Sequence, residues 1–185
     1  MASVTETRAT LDDLYRTEGK AELIGGRIVP QMATGVRPNK VAGRIYRSLS
    51  DHADRKGGHA FTDNMGFAVP ELPSGRESFS PDASFYDGSL PEDVMRFVKG
   101  PPKFAAEVRS ANDYGQPAED KIADKRDAYF LAGTEVVWDV DPKANCIHAY
   151  RRGDEQPITF VKGQMAHAEP AVPGWSVSVD WLFAD

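Results

Sequence analysis

Two short segments in the middle of the chain alternate between apolar and polar side chains, which is the pattern of half-buried β-strands. In PDASFY, the acid Asp82 shares its side with a serine and a tyrosine, opposite an alanine and a phenylalanine. In FAAEVR, Glu107 and Arg109 lie opposite three apolar side chains. Each predicted strand therefore has an apolar side for the core and a polar side that carries one acid.

Apolar positions at helical spacing predict two longer helices. The stretch 38–56 carries an apolar stripe at every fourth residue, with several basic residues away from the stripe, and it ends at two glycines. The stretch 117–132 begins at a proline and is followed by Gly133. Because the apolar segment TEVVWDVDP comes next, the order of strand, helix and strand predicts a crossover between two parallel strands.

Shorter patterns flank this unit. Thr10 is the predicted cap of a short helix, LDDLYRT, and the segment AELIGGRIVPQM predicts a β-hairpin around its two glycines. The segment HAFTDNMGFAVPEL predicts two short strands around a turn at 63–66, and the C-terminal 40 or so residues predict further short strands. Since no repeat or long linker divides the chain, we expect one α/β domain over residues 1–185.

Composition narrows the function. The net charge of −6 argues against broad non-specific binding to phosphate backbones. The single cysteine, Cys146, cannot form an intramolecular disulfide, and the four histidines form no pair at metal-ligand spacing, which argues against a zinc hydrolase. The N-terminal MASVTETRAT lacks the features of a secretion signal, and no apolar run approaches the roughly 20 residues that span a bilayer. We expect a cytoplasmic protein with no membrane segment.

Asp82 and Glu107 could form a metal site if their two strands are neighbours in the sheet. With the polar sides together, Asp82 and Glu107 would converge, and two close carboxylates repel unless a proton or a cation neutralises them. Mg²⁺, or Mn²⁺, is the natural cation for oxygen ligands, and the backbone carbonyl of Val108 offers a third oxygen. The pattern therefore predicts a metal site with open positions for water and substrate.

The following helix offers a cation. Lys121 and Lys125 are four residues apart in EDKIADKRDAYF and share one face, while Ile122 and Tyr129 mark the apolar side. Lys125 lies at the border of that apolar stripe, so its ammonium group can turn inward. Near the metal it would orient an attacking water or stabilise charge that develops on a phosphate. Lys121 is the weaker candidate of the two.

These residues resemble the PD-(D/E)XK nuclease superfamily, and more narrowly its Uma family of restriction endonucleases. The family's order of motifs is similar to PDASFYDG, EVRSAND and KRDAYFLAGTEVVWDVDP in this chain, and AELIGGRIV resembles its opening motif. The resemblance covers about residues 10–182. It implies a restriction-endonuclease-like core: a central mixed β-sheet flanked by helices, with the N-terminal hairpin and C-terminal β additions.

The resemblance also implies roles for single residues. Asp82 and Glu107 match the metal ligands, and Glu22 matches an acid of the opening motif that reaches the same cavity. Arg109 stands where a typical nuclease has its lysine, and the family's transfer of that lysine to the next helix points to Lys125. The family often has a histidine at the start of its second helix, but this region reads VRPNKVAG here, so the chain lacks that residue.

The leading expectation is a Mg²⁺-dependent nuclease that hydrolyses DNA with a metal-activated water. A nuclease acting on RNA is a weaker alternative. An inactive module on the same fold, which binds nucleic acid or protein, is an alternative of another class, favoured by the acidic charge and the missing histidine. Because nucleases of this fold often cut both strands as dimers, we expect a homodimer, with the C-terminal strands and their Trp175 and Trp181 as a pairing surface.

Each candidate residue also has an ordinary structural interpretation. Asp82, which follows a proline at the start of its strand, can simply cap a turn. Glu107 can form a salt bridge with Lys103, because an unpaired acid inside FAAEV would be costly to bury. Lys125 can be a solvated helix residue, as most lysines are. Asp87, beside Gly88, is predicted to be a turn residue.

Overall fold

The computed structural model of the chain describes residues 8–185. Residues 1–7, on which much of the expectation about a secretion signal rests, lie outside it. The helices are α1 (Leu11–Tyr15), α2 (Val36–Lys56), α3 (Gln116–Ala132) and α4 (Val179–Phe183). The strands are β1 (Ala21–Ile24), β2 (Arg27–Pro30), β3 (His59–Thr62), β4 (Phe67–Ala68), β5 (Ser78–Phe79), β6 (Ala83–Tyr86), β7 (Val98–Lys99), β8 (Phe104–Val108), β9 (Val136–Asp141), β10 (Cys146–Arg151), β11 (Ile158–Phe160), β12 (Met165–His167) and β13 (Ser176–Ser178).

Six of these strands form a mixed sheet in the order β11-β10-β9-β8-β6-β3. Strands β8 and β9 are parallel and are joined by α3, which confirms the predicted crossover. The other neighbours in the sheet are antiparallel. The hairpin of β1 and β2 is also confirmed. Strands β3 and β4 flank the predicted turn, but they belong to different sheets, because β4 pairs with β5 and β7. The central mixed sheet with flanking helices is the predicted fold class.

Local chemistry explains the helix ends. Thr10 caps α1, and its side chain and that of Asp13 bond each other's backbone N–H groups in a capping box. Helix α2 begins two residues before the predicted start at position 38 and buries the predicted stripe of Val41, Ile45 and Leu49. Helix α3 ends at Gly133, whose φ of 117° suits glycine better than any other residue.

The alternation of side chains in β6 and β8 divides the core into two layers. Phe104, Ala106 and Val108 face α2 in one layer, together with Ala83 and Phe85. The opposite face carries an apolar layer under α3, where Ala105 packs with Tyr129. Both polar sides predicted from the sequence therefore lie on the α3 side of the sheet.

The C-terminal segment differs from its prediction as an exposed pairing surface. Trp175 is only 3% exposed and stacks on Trp138 with ring centroids 5.1 Å apart, so it belongs to the core and cannot pair two copies. Trp181 is half-buried, with the guanidinium of Arg47 4.7 Å from its ring centroid. A second arginine on the basic face of α2 also contacts the C-terminal segment, since Arg44 donates to the backbone carbonyls of Leu182 and Ala184. Two arginines available for phosphate contacts thus hold the C-terminus instead.

None of the helices within residues 8–185 combines the length and the apolar character that a membrane crossing requires.

Candidate active site

Asp82 and Glu107 lie at facing positions on neighbouring strands. The pairing of Ala83 with Ala106 sets the register, and it continues one step further because the N–H of Asp82 donates to the carbonyl of Ala106 at 3.1 Å. Asp82 Oδ2 then accepts the N–H of Val108 at 2.7 Å. The carboxylate of Asp82 thus takes the place of a backbone partner just before β6 begins. Its Oδ1 lies 3.3 Å from the ammonium group of Lys20.

The Val108 carbonyl points towards the same place. In a β-strand the N–H and C=O of one residue lie on the same side, and the N–H of Val108 is directed at Asp82. On the other side of the strand, the neighbouring Arg109 N–H donates to the Val140 carbonyl in β9 at 3.0 Å. The three oxygen sources predicted from the sequence are therefore found at one end of β6 and β8.

Lys125 and Tyr129 hold the carboxylate of Glu107. Lys125 Nζ is 2.8 Å from Glu107 Oε2, and the hydroxyl of Tyr129 donates to Oε1 at 2.7 Å. The Lys125 side chain is 20% exposed and that of Glu107 is 26% exposed, so both are confined but still reach solvent. The interpretation of Lys125 as a solvated helix residue is wrong. Lys103, the alternative partner of Glu107, pairs instead with Asp87 at 2.8 Å.

Glu22 joins the same group from β1. It is 1% exposed, and its Oε1 lies 3.2 Å from Lys125 Nζ. Its Oε2 lies 2.5 Å from the guanidinium of Arg76, and the backbone N–H of Ser80 donates to Oε1 at 2.9 Å. Each charged oxygen of this buried acid thus has a cationic partner. We call the residues Glu22, Arg76, Glu107, Lys125 and Tyr129 the Glu107 cluster.

The electrostatics of the cluster differ from one residue to the next. Burial alone would lower the pKa of Lys125, but Glu107 and Glu22 raise it above the ordinary lysine value, so the amine is protonated. Burial raises the pKa of Glu22, but Lys125 and Arg76 more than compensate and bring it below 4.5. Burial also raises the pKa of Glu107, and the charges of Asp82 and Glu22 add to that rise, so its pKa stays above 4.5 despite Lys125. Glu107 is the acid whose negative charge is incompletely compensated.

A second lysine, Lys20, contacts Asp82. Lys20, which precedes β1, contacts Asp82 Oδ1 at 3.3 Å and forms a short ion pair with Asp63. Its side chain is 17% exposed. Burial would lower the pKa of Lys20, but Asp82 and Asp63 raise it, so this amine is also protonated.

The site is reached through two cavities. The larger, of about 170 Å³, is lined in part by Asp63, Asp82 and Val108, together with Asn39 from the first turn of α2. Asn39 stands in the region where the resembled family often has its histidine. The smaller cavity, of about 40 Å³, is lined in part by Glu107 and Lys125. The acids of the pair therefore face different openings, although their strands are adjacent.

Two predicted secondary residues lie outside this arrangement. Arg109 donates to Asp139 at 2.6 and 2.7 Å and to Glu119 at 2.5 and 2.8 Å, and a fifth contact reaches the carbonyl of Asp113 at 3.5 Å. All five of its N–H donors are thereby used. Lys121 is exposed one turn before Lys125. We call Arg109, Glu119 and Asp139 the Arg109 cluster.

Several residues of the site were not predicted. Tyr129 was assigned to the apolar side of α3, and its ring does stack on Phe79 at 4.1 Å, but its hydroxyl reaches Glu107. Arg76 lies between β4 and β5, in a segment for which the sequence pattern predicts no site residue. Lys20 carried a usable signal, because it lies two residues before Glu22 at the start of the hairpin and so shares its side of the strand.

Within residues 8–185, no group of three or more His, Cys, Asp or Glu side chains is arranged to hold a metal ion. Asp82 and Glu107 form a pair rather than such a group. The donors nonetheless suit a hard divalent cation, because each carboxylate has about four acceptor positions and only part of them is used. Burial is the main cause of the raised pKa of Glu107, with the charges of Asp82 and Glu22 adding to it, and a nearby cation would favour the charged form of this acid.

Comparison with known proteins identifies the family and the fold of the chain. A family model described as "Uma2: Putative restriction endonuclease" matches residues 8–180. A comparison with curated protein sequences found no match. Among solved structures, the chain is similar to the crystal structure of a "putative nuclease belonging to DUF820" from Anabaena variabilis, with a TM-score of 0.75 and 18% identity over 94% of this chain and 97% of that one. At this identity the structural likeness shows the fold.

The family match spans nearly the whole chain, and the fold agrees with it. The family match supports a nuclease of the restriction-endonuclease type. The chain belongs to the Uma2 family of putative restriction endonucleases.

Proposed function

We propose that the protein is a Mg²⁺- or Mn²⁺-dependent nuclease that hydrolyses phosphodiester bonds of DNA. The observation that carries the proposal is that Asp82 and Glu107 lie at facing positions on β6 and β8 while Lys125 of α3 contacts Glu107 at 2.8 Å, in the order that the family's motifs imply. The net reaction adds water to the phosphorus and breaks one P–O ester bond. It leaves a phosphate monoester and a hydroxyl group, which takes up a proton from the water.

Asp82, Glu107 and the Val108 carbonyl would hold the cation. When bound, a divalent cation neutralises charge on the scissile phosphate and lowers the pKa of water by several units. Asp82 is fixed for this task because its Oδ2 is held by the Val108 N–H, while Oδ1 makes a long contact of 3.3 Å with Lys20. Glu107 is fixed by Tyr129 and Lys125.

Lys125 acts as a hydrogen-bond donor and not as a base, because its amine is protonated. An ammonium group has three N–H donors, of which two are directed at Glu107 and Glu22. The third can orient the attacking water or stabilise the charge that grows on the phosphate oxygens. Glu22 and Arg76 position Lys125 from behind and do not touch the reacting atoms.

Cleavage of DNA tests the proposal directly. Purified protein is incubated with supercoiled, linear double-stranded and single-stranded DNA, with RNA in parallel, in Mg²⁺, in Mn²⁺ and in EDTA. We expect cation-dependent cleavage that Asp82→Ala abolishes. Asp87→Ala is the matched control, since Asp87 pairs with Lys103 outside the site and its loss should leave cleavage unchanged. Absence of cleavage of every DNA form, or equal cleavage by Asp82→Ala, would contradict the proposal.

The second candidate is a binding module without catalysis, and one observation favours it: the carboxylates of the described residues form no group of three at the site. Calorimetric titration with Mn²⁺ separates the two functions. A nuclease should bind Mn²⁺ in a manner that depends on Asp82, whereas a binding module should retain DNA affinity and show no such Mn²⁺ binding.

We also propose that the active form is a homodimer, because two sites in one assembly can cut both strands of a duplex in a single encounter. The core position of Trp175 excludes it from the pairing surface. Sedimentation with and without duplex DNA measures the oligomeric state, and a monomer that cuts both strands would contradict this proposal.

A further inference from the structure

Each of the two lysines at the site joins a pair of carboxylates. Lys125 lies between Glu107 and Glu22, with its two contacts at 2.8 and 3.2 Å. Lys20 lies between Asp63 and Asp82. Lys125 is held within the Glu107 cluster, where Arg76 provides a further cation for Glu22. Lys20 contacts the other acid that is proposed to bind the cation, Asp82, and it does so from outside the Glu107 cluster.

The two contacts of Lys20 are unequal. Its ion pair with Asp63 is the shorter, and its contact with Asp82 is long, at 3.3 Å. Only Oδ1 of Asp82 takes part, because Oδ2 is occupied by the Val108 N–H. Oδ1 is therefore the oxygen of Asp82 that can exchange one cation for another while the carboxylate stays in place.

Asp63 can keep its ion pair with Lys20 when Lys20 no longer contacts Asp82. Asp63 and Asp82 line the same cavity of about 170 Å³, and Asp63 also accepts the backbone N–H of Asn64 at 2.9 Å, which fixes its position. Lys20 can thus release Asp82 without losing its stronger partner or carrying its charge into an apolar region.

We propose that Lys20 is an internal counter-ion of Asp82, which a divalent cation displaces onto Asp63. This inference rests on the proposed function, because it concerns the same cation site. Lys20 occupies Asp82 Oδ1 in the cation-free protein and so prevents repulsion between Asp82 and Glu107. When a cation binds, Lys20 keeps its pair with Asp63. Lys20 is accordingly a positioning residue that sets the affinity for the cation, and Asp63 assists the exchange.

Mn²⁺ binding to the full chain tests this role by calorimetry, without any reliance on cleavage. Lys20→Met removes the competitor and should tighten Mn²⁺ binding by about tenfold. Lys40→Met is the matched control: Lys40 is exposed in α2 beside Asn39, which lines the cavity, so its removal changes the net charge equally. We expect it to change the affinity by less than about twofold, because exposed charges are screened. Equal gains in the two variants, or no gain in Lys20→Met, would overturn the proposal.

A double-mutant cycle assigns the part of Asp63. Asp63→Asn alone should weaken Mn²⁺ binding, because Lys20 is then left with Asp82 as its carboxylate partner and a nearby negative charge is lost. In the Lys20→Met background only the charge effect remains, so the loss should shrink by about threefold or more. An unchanged loss in both backgrounds would show that Asp63 acts through its charge and not through Lys20.

The outcomes also separate this inference from the proposed function. If wild-type protein binds no Mn²⁺, or if Asp82→Ala binds it equally well, the proposed function fails. If binding depends on Asp82 but Lys20→Met has wild-type affinity, only the role of Lys20 fails. Should Lys20→Met not fold, ¹⁵N-lysine NMR of the wild type replaces it. Mg²⁺ should then shift the Lys20 ammonium signal, assigned by its loss in Lys20→Arg, and an unmoved signal would overturn the proposal.

Discussion

Glu107 in strand β8 and Arg109 just after it are only two residues apart, and the ionic groups around them are built in opposite ways. In the Arg109 cluster, all five N–H donors of the Arg109 guanidinium form hydrogen bonds with Asp139, Glu119 and a backbone carbonyl. Arg109 in turn lowers the pKa of Glu119. In the Glu107 cluster, Lys125 directs two of its three N–H donors at Glu22 and Glu107, so the third is available for another partner. Burial, together with the neighbouring acids, raises the pKa of Glu107.

The difference separates a structural ion pair from a candidate site. A guanidinium with no donor left cannot bind a substrate phosphate, whatever its position in a motif. Residues with spare donors and an uncompensated carboxylate can still recruit a cation or a phosphate oxygen. Arg109, which stands where a typical nuclease has its lysine, therefore joins β8 to β9 and α3, while Lys125 takes the position beside the acids.

The largest expected effect concerns the Arg109 cluster. Arg109→Met leaves Asp139, which is 3% exposed, without its cation, and it should lower the free energy of unfolding by about 3–5 kcal/mol. Arg126→Met is the control, because Arg126 stacks on the ring of Tyr150, and it should cost about 1 kcal/mol or less. Urea unfolding measures both. Mn²⁺ affinity below the unfolding temperature should stay at the wild-type value in Arg109→Met, and a large loss of affinity would place Arg109 in the site.

The next effect concerns Lys125. Lys125→Met should lower the cleavage rate at saturating Mg²⁺ by about 100-fold to 1000-fold, because a charged donor near the phosphate is lost. Lys121→Met, one turn away on the same helix and exposed, should cleave at the wild-type rate. Circular dichroism checks that both variants are folded. Equal rates for the two variants would return Lys125 to a structural role like that of Arg109.

A smaller effect is expected from Tyr129. Tyr129→Phe removes the hydroxyl that donates to Glu107 at 2.7 Å but keeps the ring that stacks on Phe79. A hydrogen bond to a charged group contributes about 1.5–3 kcal/mol, so stability should fall by that amount. Tyr86→Phe is the matched control, because its hydroxyl makes only a long, exposed contact of 3.4 Å to the Ser89 carbonyl. A loss of the same size in both variants would show that Glu107 does not depend on Tyr129.

The sequence sufficed for the elements that local patterns and general connection rules determine. The alternation in β6 and β8, the stripe of α2 and the α3 crossover are all confirmed, and the order of acid, acid and lysine was enough to select Asp82, Glu107 and Lys125 as candidates.

The remainder depends on contacts between distant parts of the chain. Arg76 comes from a loop and Lys20 from the turn before β1, and neither has a local pattern that indicates which acid it meets. The partner of Arg109, Asp139, lies on a strand thirty residues later in the chain. The local sequence around Trp175 does not show that this residue is buried, because its burial depends on packing against Trp138 from a distant strand.

The smallest effect, and the most direct test of the contrast between the clusters, is the dependence of stability on pH. The pKa of Glu107 is raised above 4.5, so between pH 4.5 and that raised pKa the folded protein keeps a proton that the unfolded chain releases, and the free energy of unfolding falls as the pH rises. The pKa of Glu119 is lowered, so its contribution is lost only as the pH falls below 4.5. Urea unfolding with EDTA from pH 3.5 to 8 measures both contributions. Glu107→Gln should remove a fall in the free energy of unfolding as the pH rises above about 4.5. Glu119→Gln should remove an increase in the free energy of unfolding as the pH rises towards 4.5 from below. If the difference between wild type and Glu107→Gln stayed constant above pH 4.5, Glu107 would be as fully compensated as Glu119, and the two clusters would not differ in kind.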